Sequence, residues 1–301
     1  MIGVSIITFS LVYLTPGDPV DRILGLNPDI TPQQEAQMRS DLGFDEPVYI
    51  QYFDWLFGAA TGDFGEVYST GNEVSDVVWN RLPETVAIGI FGWVFAIVIA
   101  IPTGIYAAYK KGKIADTVSR FVALAGISIP NFWLGLMLIM IFALQLDWWR
   151  TLPPSDAALL SSDMLWFLIL PGITIGTASA ASLMRVMRTS MSEELNKEYV
   201  TAARAKGLPE RTVILKHVLR NSLISVVTLA AVLTASIISG SVVVEYVFNW
   251  PGLGREFIEA IQDREMNLIM AITLLTGLVI VIANLIADII YAILDPRIRY
   301  D

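Results

Sequence analysis

Five stretches without a charged residue limit what this chain can become more than any other feature. A transmembrane helix needs about 20 apolar residues to cross about 30 Å of hydrocarbon. Thr85–Tyr109, Phe121–Leu146, Met164–Met184, Asn221–Val244 and Asn267–Ala287 reach that length with no Asp, Glu, Lys or Arg. A sixth run, Met1–Gly17, is uncharged but shorter. It lacks the basic start and the small-residue cleavage site of a signal peptide, so it reads as a first membrane helix whose leading residues are missing. The expectation is an all-α polytopic membrane protein with six transmembrane helices: helix 1 over 1–16, a folded helical external segment over 17–84, and a membrane core over 85–301. Composition agrees, with 54% hydrophobic and 16% charged residues and a mean hydropathy of +0.60, whereas soluble chains are about a quarter charged.

Composition also removes whole classes of chemistry. There is no cysteine and one histidine, His217. That excludes disulfide scaffolds, thiolate metal sites, thiol nucleophiles and multi-histidine metal sites. No H-E-x-x-H motif exists, which disfavours an intramembrane protease. His217 reads as a polar residue on a helical hairpin between two spans, with pH sensing as the alternative.

The basic residues orient the spans. Residues 110–120 hold four bases and one acid, and 185–220 hold eight bases and four acids. The alternate segments are acidic: 16–84 carries three bases and thirteen acids. Fourteen of the twenty bases therefore share one side, read as the cytoplasm, with both termini on it. The acidic outer side is either ordinary solubilising charge or an adaptation to strong salt screening.

Outside the bilayer, two regions look structured. In 17–84, Thr31-Pro32-Gln33-Gln34 has capping-box spacing and Gly43 can close the helix it starts. Pro47 opens a second helix with Tyr49, Tyr52, Phe53, Leu56 and Phe57 at helical spacing, a stripe that docks a partner or packs on neighbouring spans and the interfacial belt. Asn72 is a cap for a third, ending at Arg81 or Pro83. In 185–222, the helix Glu198–Lys206 should end at a left-handed Gly207, and Pro209 should start the next. Ala202, Ala203 and Ala205 keep this projection thin enough to enter a groove on another protein. Trp148, Trp149 and Trp250 read as interfacial anchors, Gly172 and Gly176 as close helix packing, and Pro102, Pro130 and Pro171 as kinks or starts of spans.

The projection resembles the coupling-helix motif of ATP-binding-cassette importer permeases, E-A-A-x3-G-x9-I-x-L-P. Here it reads Thr201-Ala202-Ala203, three residues, Gly207, nine residues, His217-Val218-Leu219-Arg220, with Thr201, His217 and Arg220 replacing the Glu, Ile and Pro. The dipeptide/oligopeptide/nickel branch is closer, in Tyr199-Val200 followed by Ala203-Arg204-Ala205-Lys206-Gly207-Leu208, although Ser225 stands where that branch usually has proline. Thr15-Pro16-Gly17-Asp18-Pro19, Gly62-Asp63-Phe64-Gly65, Arg81-Leu82-Pro83-Glu84-Thr85, Pro130–Gly135, Glu245–Gly254 and Leu294–Tyr300 recur in similar order, so the resemblance covers essentially the whole chain. It is to the B-type permease, which has the long external segment.

The resemblance implies a type I importer permease fold. It also implies a second homologous permease, two cytoplasmic ATP-binding subunits and an external solute-binding protein. ATP and Mg would sit on the partners, with no cofactor on this chain and no nucleic acid bound. By carry-over, Glu198, Thr201, Ala202, Ala203, Arg204, Lys206 and Gly207 contact the ATPase; the bland alternative is an ordinary hairpin between two spans. Ser236, Ser239, Ser241 and Glu245 would line the pathway or else bond between helices. Asn284 and Asp288 share one helical face, in the pathway or in an interfacial, helix-pairing role. The absence of a G-x-x-x-x-G-K-[S/T] loop fits nucleotide chemistry on another chain. An ion-coupled secondary transporter is the competing class, but it would prefer ionisable residues inside the spans. Peptide, nickel complex and oligosaccharide all stay open as the solute.

Overall fold

The computed structural model describes residues 2–14, 20, 31–41, 43, 45–154, 158–159 and 161–294. The sequence motifs at 15–19 and 295–301 lie outside the described residues. Apart from one antiparallel bridge between Glu66 and Glu73, regular structure among the described residues is helical. The chain divides into two compact units, Met1–Thr85 with Pro251–Val279 and Val86–Trp250 with Ile280–Asp301.

The first unit contains α1 (Ile2–Leu14), α2 (Pro32–Asp41), α3 (Val48–Thr61), the start of α4 (Val74–Tyr109), α12 (Leu253–Asp263) and the start of α13 (Met266–Leu294). The capping box at α2 is present: Thr31 N–H donates to Gln34 Oε1 at 2.9 Å, and Gln34 N–H donates back to Thr31 Oγ1 at 3.4 Å. On α3 the aromatic stripe is split. Tyr52 bonds Ser5 of α1 at 2.9 Å and packs edge-on against Phe9, with Trp55 beside it. Tyr49, Phe53 and Phe57 point outward. Between α3 and α4 a turn is held from a distance. The buried Glu265 carboxylate accepts the N–H groups of Tyr68 at 2.8 Å and Ser69 at 3.1 Å, while the Asn267 side chain donates to the Glu66 carbonyl. Phe64, Val74, Val78, Leu253 and Leu268 form the core beneath it.

The sequence predicts a helix ending at Arg81 or Pro83 and a separate span from Thr85. The structure merges them into the single 36-residue α4. An internal proline removes one backbone hydrogen bond and crowds one carbonyl. Here Leu82 and Val78 pack in the first unit's core just before Pro83, and Thr85 just after it accepts the Leu253 N–H at 2.8 Å, so contacts on both sides hold the helix through the proline.

The second unit contains the rest of α4, then α5 (Ile114–Ser128), α6 (Asn131–Leu138, prolonged as a π-helix over Ile139–Gln145), α7 (Ser162–Phe167), α8 (Ile169–Glu194), α9 (Glu198–Ala205), α10 (Glu210–Thr212, prolonged as a π-helix over Val213–Val218) and α11 (Leu219–Val247). α8 lies at its centre, against α5, α6 and α11. Its contact with α4 is backbone to backbone. A Cβ on Gly92 would fall 2.1 Å from Ile175 Cγ2, one on Gly172 2.4 Å from the Phe91 ring, and one on Gly176 2.5 Å from the Gly92 carbonyl. The small residues of this run let the helices approach, as their pattern in the sequence predicts.

Four helices among the described residues are long and apolar enough to cross a membrane, and a fifth candidate is a bent pair. The run Phe121–Leu146, expected as a span with a kink or start at Pro130, is sharply bent there: α5 and α6 meet at 102°. Proline disfavours helical geometry in the residue before it, and Ile129 is accordingly extended at φ −79°, ψ 122°. The two short helices are the result. Of the three tryptophans read as interfacial anchors, only Trp148 is exposed. Trp149 and Trp250 are buried in an aromatic stack that runs from Trp166 through Trp149 and Phe167 to Trp250.

Candidate functional site

The projection between α8 and α11 is built from local rules. After α8 the chain turns through 195–197 and enters α9 at Glu198. α9 closes in a Schellman pattern: Gly207 N–H donates to the Arg204 carbonyl at 2.9 Å, and Leu208 N–H to the Ala203 carbonyl at 3.4 Å. Gly207 has φ +75°, and a Cβ there would meet nothing within 4 Å, so glycine is required for its dihedral and not for space. Pro209, at φ −58°, leads into α10.

This short helix has two faces. Val200 and Ala203, three apart, are buried among Met187, Met191, Val213 and Val218. Glu198, Thr201, Ala202, Arg204, Ala205, Lys206 and Gly207 are exposed. Thr201, Ala202 and Ala205 give the outer face side chains no longer than a hydroxyl or a methyl group. Of the residues singled out by sequence, Ala203 thus faces the protein interior, and the others remain on the surface.

Polar contacts tie α9 down at both ends. Arg204 pairs bidentately with Glu210, at 2.7 and 3.1 Å, and that carboxylate raises the already high pKa of the guanidinium. At the other end the Tyr199 hydroxyl donates to Glu194 at 2.6 Å and accepts from the Asn221 side chain at 3.1 Å. Burial, then the Glu194 carboxylate, push the Tyr199 phenol above its ordinary value, so it stays a proton donor. Lys197 also pairs with Glu194.

One buried charge escaped sequence reading. Asp116 is fully buried and receives Arg188 of α8, Arg120 of its own helix at 2.8 Å and the Gly112 N–H at 2.9 Å. The available signal was a lone acid among Lys110, Lys111, Lys113 and Arg120. Arg188 thereby fixes the end of α8 to the start of α5.

The polar string on α11 is not an open surface within this chain: Ser241 and Glu245, four apart, are both buried. The side chains of Ser236, Ser239 and Asp288 lie outside the described residues, and Asn284 is exposed on α13.

Comparison with known proteins gives this geometry a lineage. Residues 100–300 match the family described as binding-protein-dependent transport system inner membrane component, and residues 1–89 match its N-terminal companion. The oligopeptide transport system permease protein AppB of Bacillus subtilis is 38% identical over all of this chain and 95% of its own length. The dipeptide transport system permease proteins DppB of Alkalihalophilus pseudofirmus and Escherichia coli K12 are 36% and 34% identical, over 100% and 99% of this chain and 96% and 95% of theirs. Among solved structures, the inward-facing MetNI methionine ABC transporter aligns with 73% of this chain and 96% of its own at a TM-score of 0.58 and 18% identity, which establishes the fold alone. The all-α polytopic architecture, the bilayer-length helices and the matched residues agree: this chain belongs to the binding-protein-dependent transport system inner membrane component family and is the permease subunit of an ATP-binding-cassette importer.

Proposed function

We propose that this permease passes peptides, and that α9 is where partner ATPases push on it. One observation carries the second part. α9 is a short helix between two bilayer-length helices, with a small-residue outer face and its inner face keyed into the core. It lies on the side where Lys and Arg concentrate, as a cytoplasmic contact requires. The peptide assignment is supported by relatives 34–38% identical along essentially the whole chain that are oligopeptide and dipeptide permeases. The glutathione transport system permease protein GsiC of Escherichia coli, at 37% identity, is a further relative.

On this reading the complete transporter contains a second homologous permease, two ATP-binding subunits that hold ATP and Mg, and an external solute-binding protein. Both termini of this chain are cytoplasmic, the membrane is the prokaryotic plasma membrane, and the chain performs no catalysis. Glu198, Thr201, Ala202, Arg204, Lys206 and Gly207 present the coupling surface, and Ala203 positions it from beneath. Ser241 and Glu245 belong to the wall of the pathway as buried supports.

The test is reconstitution of the assembled transporter in proteoliposomes with Ala202→Cys. Labelled with a thiol-reactive photo-cross-linker and irradiated, the introduced thiol is expected to cross-link to an ATPase subunit, and uptake of tri-alanine to need ATP and the binding protein. Uptake driven by an ion gradient with no ATPase present would establish the secondary-transporter alternative instead. Competition by a nickel complex or an oligosaccharide, with none by tri-alanine, would overturn the peptide assignment and leave the coupling assignment in place.

A further inference from the structure

An exposed face on α9 accounts for grip but not for transmission, because a push there must still reach the membrane helices. We infer that Tyr199 is the positioning residue that carries displacement of α9 into α8 and α11, through its hydroxyl. The inference rests on α9 being the coupling contact.

Tyr199 lies in the first turn of α9, with its ring partly buried against the core. Its hydroxyl reaches two other helices at once: Glu194 in the last turn of α8 at 2.6 Å, and Asn221 in the first turn of α11 at 3.1 Å. The alternatives reach less far. Arg204–Glu210 spans only the turn to α10, and its side chains are 44% and 41% exposed, so water weakens it. Val200 and Ala203 make apolar contacts, which resist separation but have little directional stiffness. A hydroxyl-to-carboxylate bond is short and directional, and about twice as strong as a neutral one. Glu194 is itself held, being 12% exposed and paired with Lys197. Movement of the α9 amino end therefore either drags both membrane helices or breaks these bonds.

The experiment uses the assembled transporter in proteoliposomes, with tri-alanine as solute, and reads uptake per ATP hydrolysed. Tyr199→Phe keeps the ring and removes the hydroxyl; the ratio is expected to fall about fivefold or more, the usual range of a coupling energy. Asn221→Ala, a surface change that spares the fold, should lower the ratio in the same direction. Asn221 also bonds the Glu194 carboxylate directly, so the double variant should fall below Asn221→Ala alone. A merely structural role would lower yield and both rates together without moving the ratio, and an unmoved ratio in Tyr199→Phe overturns the inference, as does a double variant no worse than Asn221→Ala alone. If Tyr199→Phe does not assemble, Asn221→Ala decides by the same criterion. The Ala202→Cys cross-link, measured in the same preparation, separates the two levels. With the cross-link present and the ratio intact, only the role of Tyr199 falls. With the cross-link absent, the coupling contact falls as well.

Discussion

α8 and α13 are both long enough to cross a bilayer, and they follow opposite rules. α8 is the less apolar by mean hydropathy, yet 61% of its membrane-length stretch is buried, against 17% for α13. In a water-soluble protein the more apolar helix would be the more buried. In lipid the outward surface has to be hydrocarbon, so Leu278, Val281, Ile282 and Leu285 of α13 are exposed. The inner helix is selected for shape, and its residual polarity is satisfied locally. Thr174 and Thr177 bond back to the carbonyls of Leu170 and Ile173, at 2.8 and 2.6 Å. Apolarity therefore identifies a span, and smallness identifies which span is central.

Substitutions on and around the two helices put this contrast at risk. Gly176→Leu should do the most damage, since even the first carbon would sit 2.5 Å from a backbone oxygen. Destabilisation of about 3 kcal/mol or more is expected, seen as loss of monodisperse protein in detergent, and an equally stable variant would refute the central role of α8. Asp116→Ala comes next, because it strands Arg188 on α8 without its carboxylate. A loss of about 3 kcal/mol should appear as a lower melting temperature, partly recovered in the double variant with Arg188→Ala. Gly207→Ala meets open space at a positive φ, so it should cost about 1 kcal/mol while reducing tri-alanine uptake far more than stability. Leu285→Ala on the exposed face of α13 should lie within about 0.5 kcal/mol of the parent. A larger shift there would mean that α13 is clasped by another subunit and not by lipid.

Much of the fold was legible because it follows from short-range chemistry. The uncharged runs, the Thr31–Gln34 capping box, the left-handed Gly207 and the close-packing glycines of α8 all depend on a few neighbouring residues. Proline was legible only in part. Pro83 and Pro130 look equivalent in sequence, but tertiary contacts keep α4 helical past the first, while the extended Ile129 before the second breaks the run. Tryptophan misled for a related reason. A ring near a span end suits an interface, and nothing local says that Trp250 meets Phe167 from the far end of the same unit's sequence. The motif over 198–207 was visible as a string of residues, but its inward and outward faces were not. Only the core contacts of Val200 and Ala203 separate what a partner can touch from what holds the helix in place.

The glycine seam between α4 and α8 has a mechanical corollary. Sliding either helix by one residue, about 1.5 Å, would drive methyl groups or the Phe91 ring into gaps that cannot admit a single extra carbon. This pair is the chassis of the subunit: it turns as one piece or stays still. Any rearrangement of the subunit has to be accommodated at other joints, and the Pro130 elbow, where two helices meet across two extended residues, is the first place to look for give.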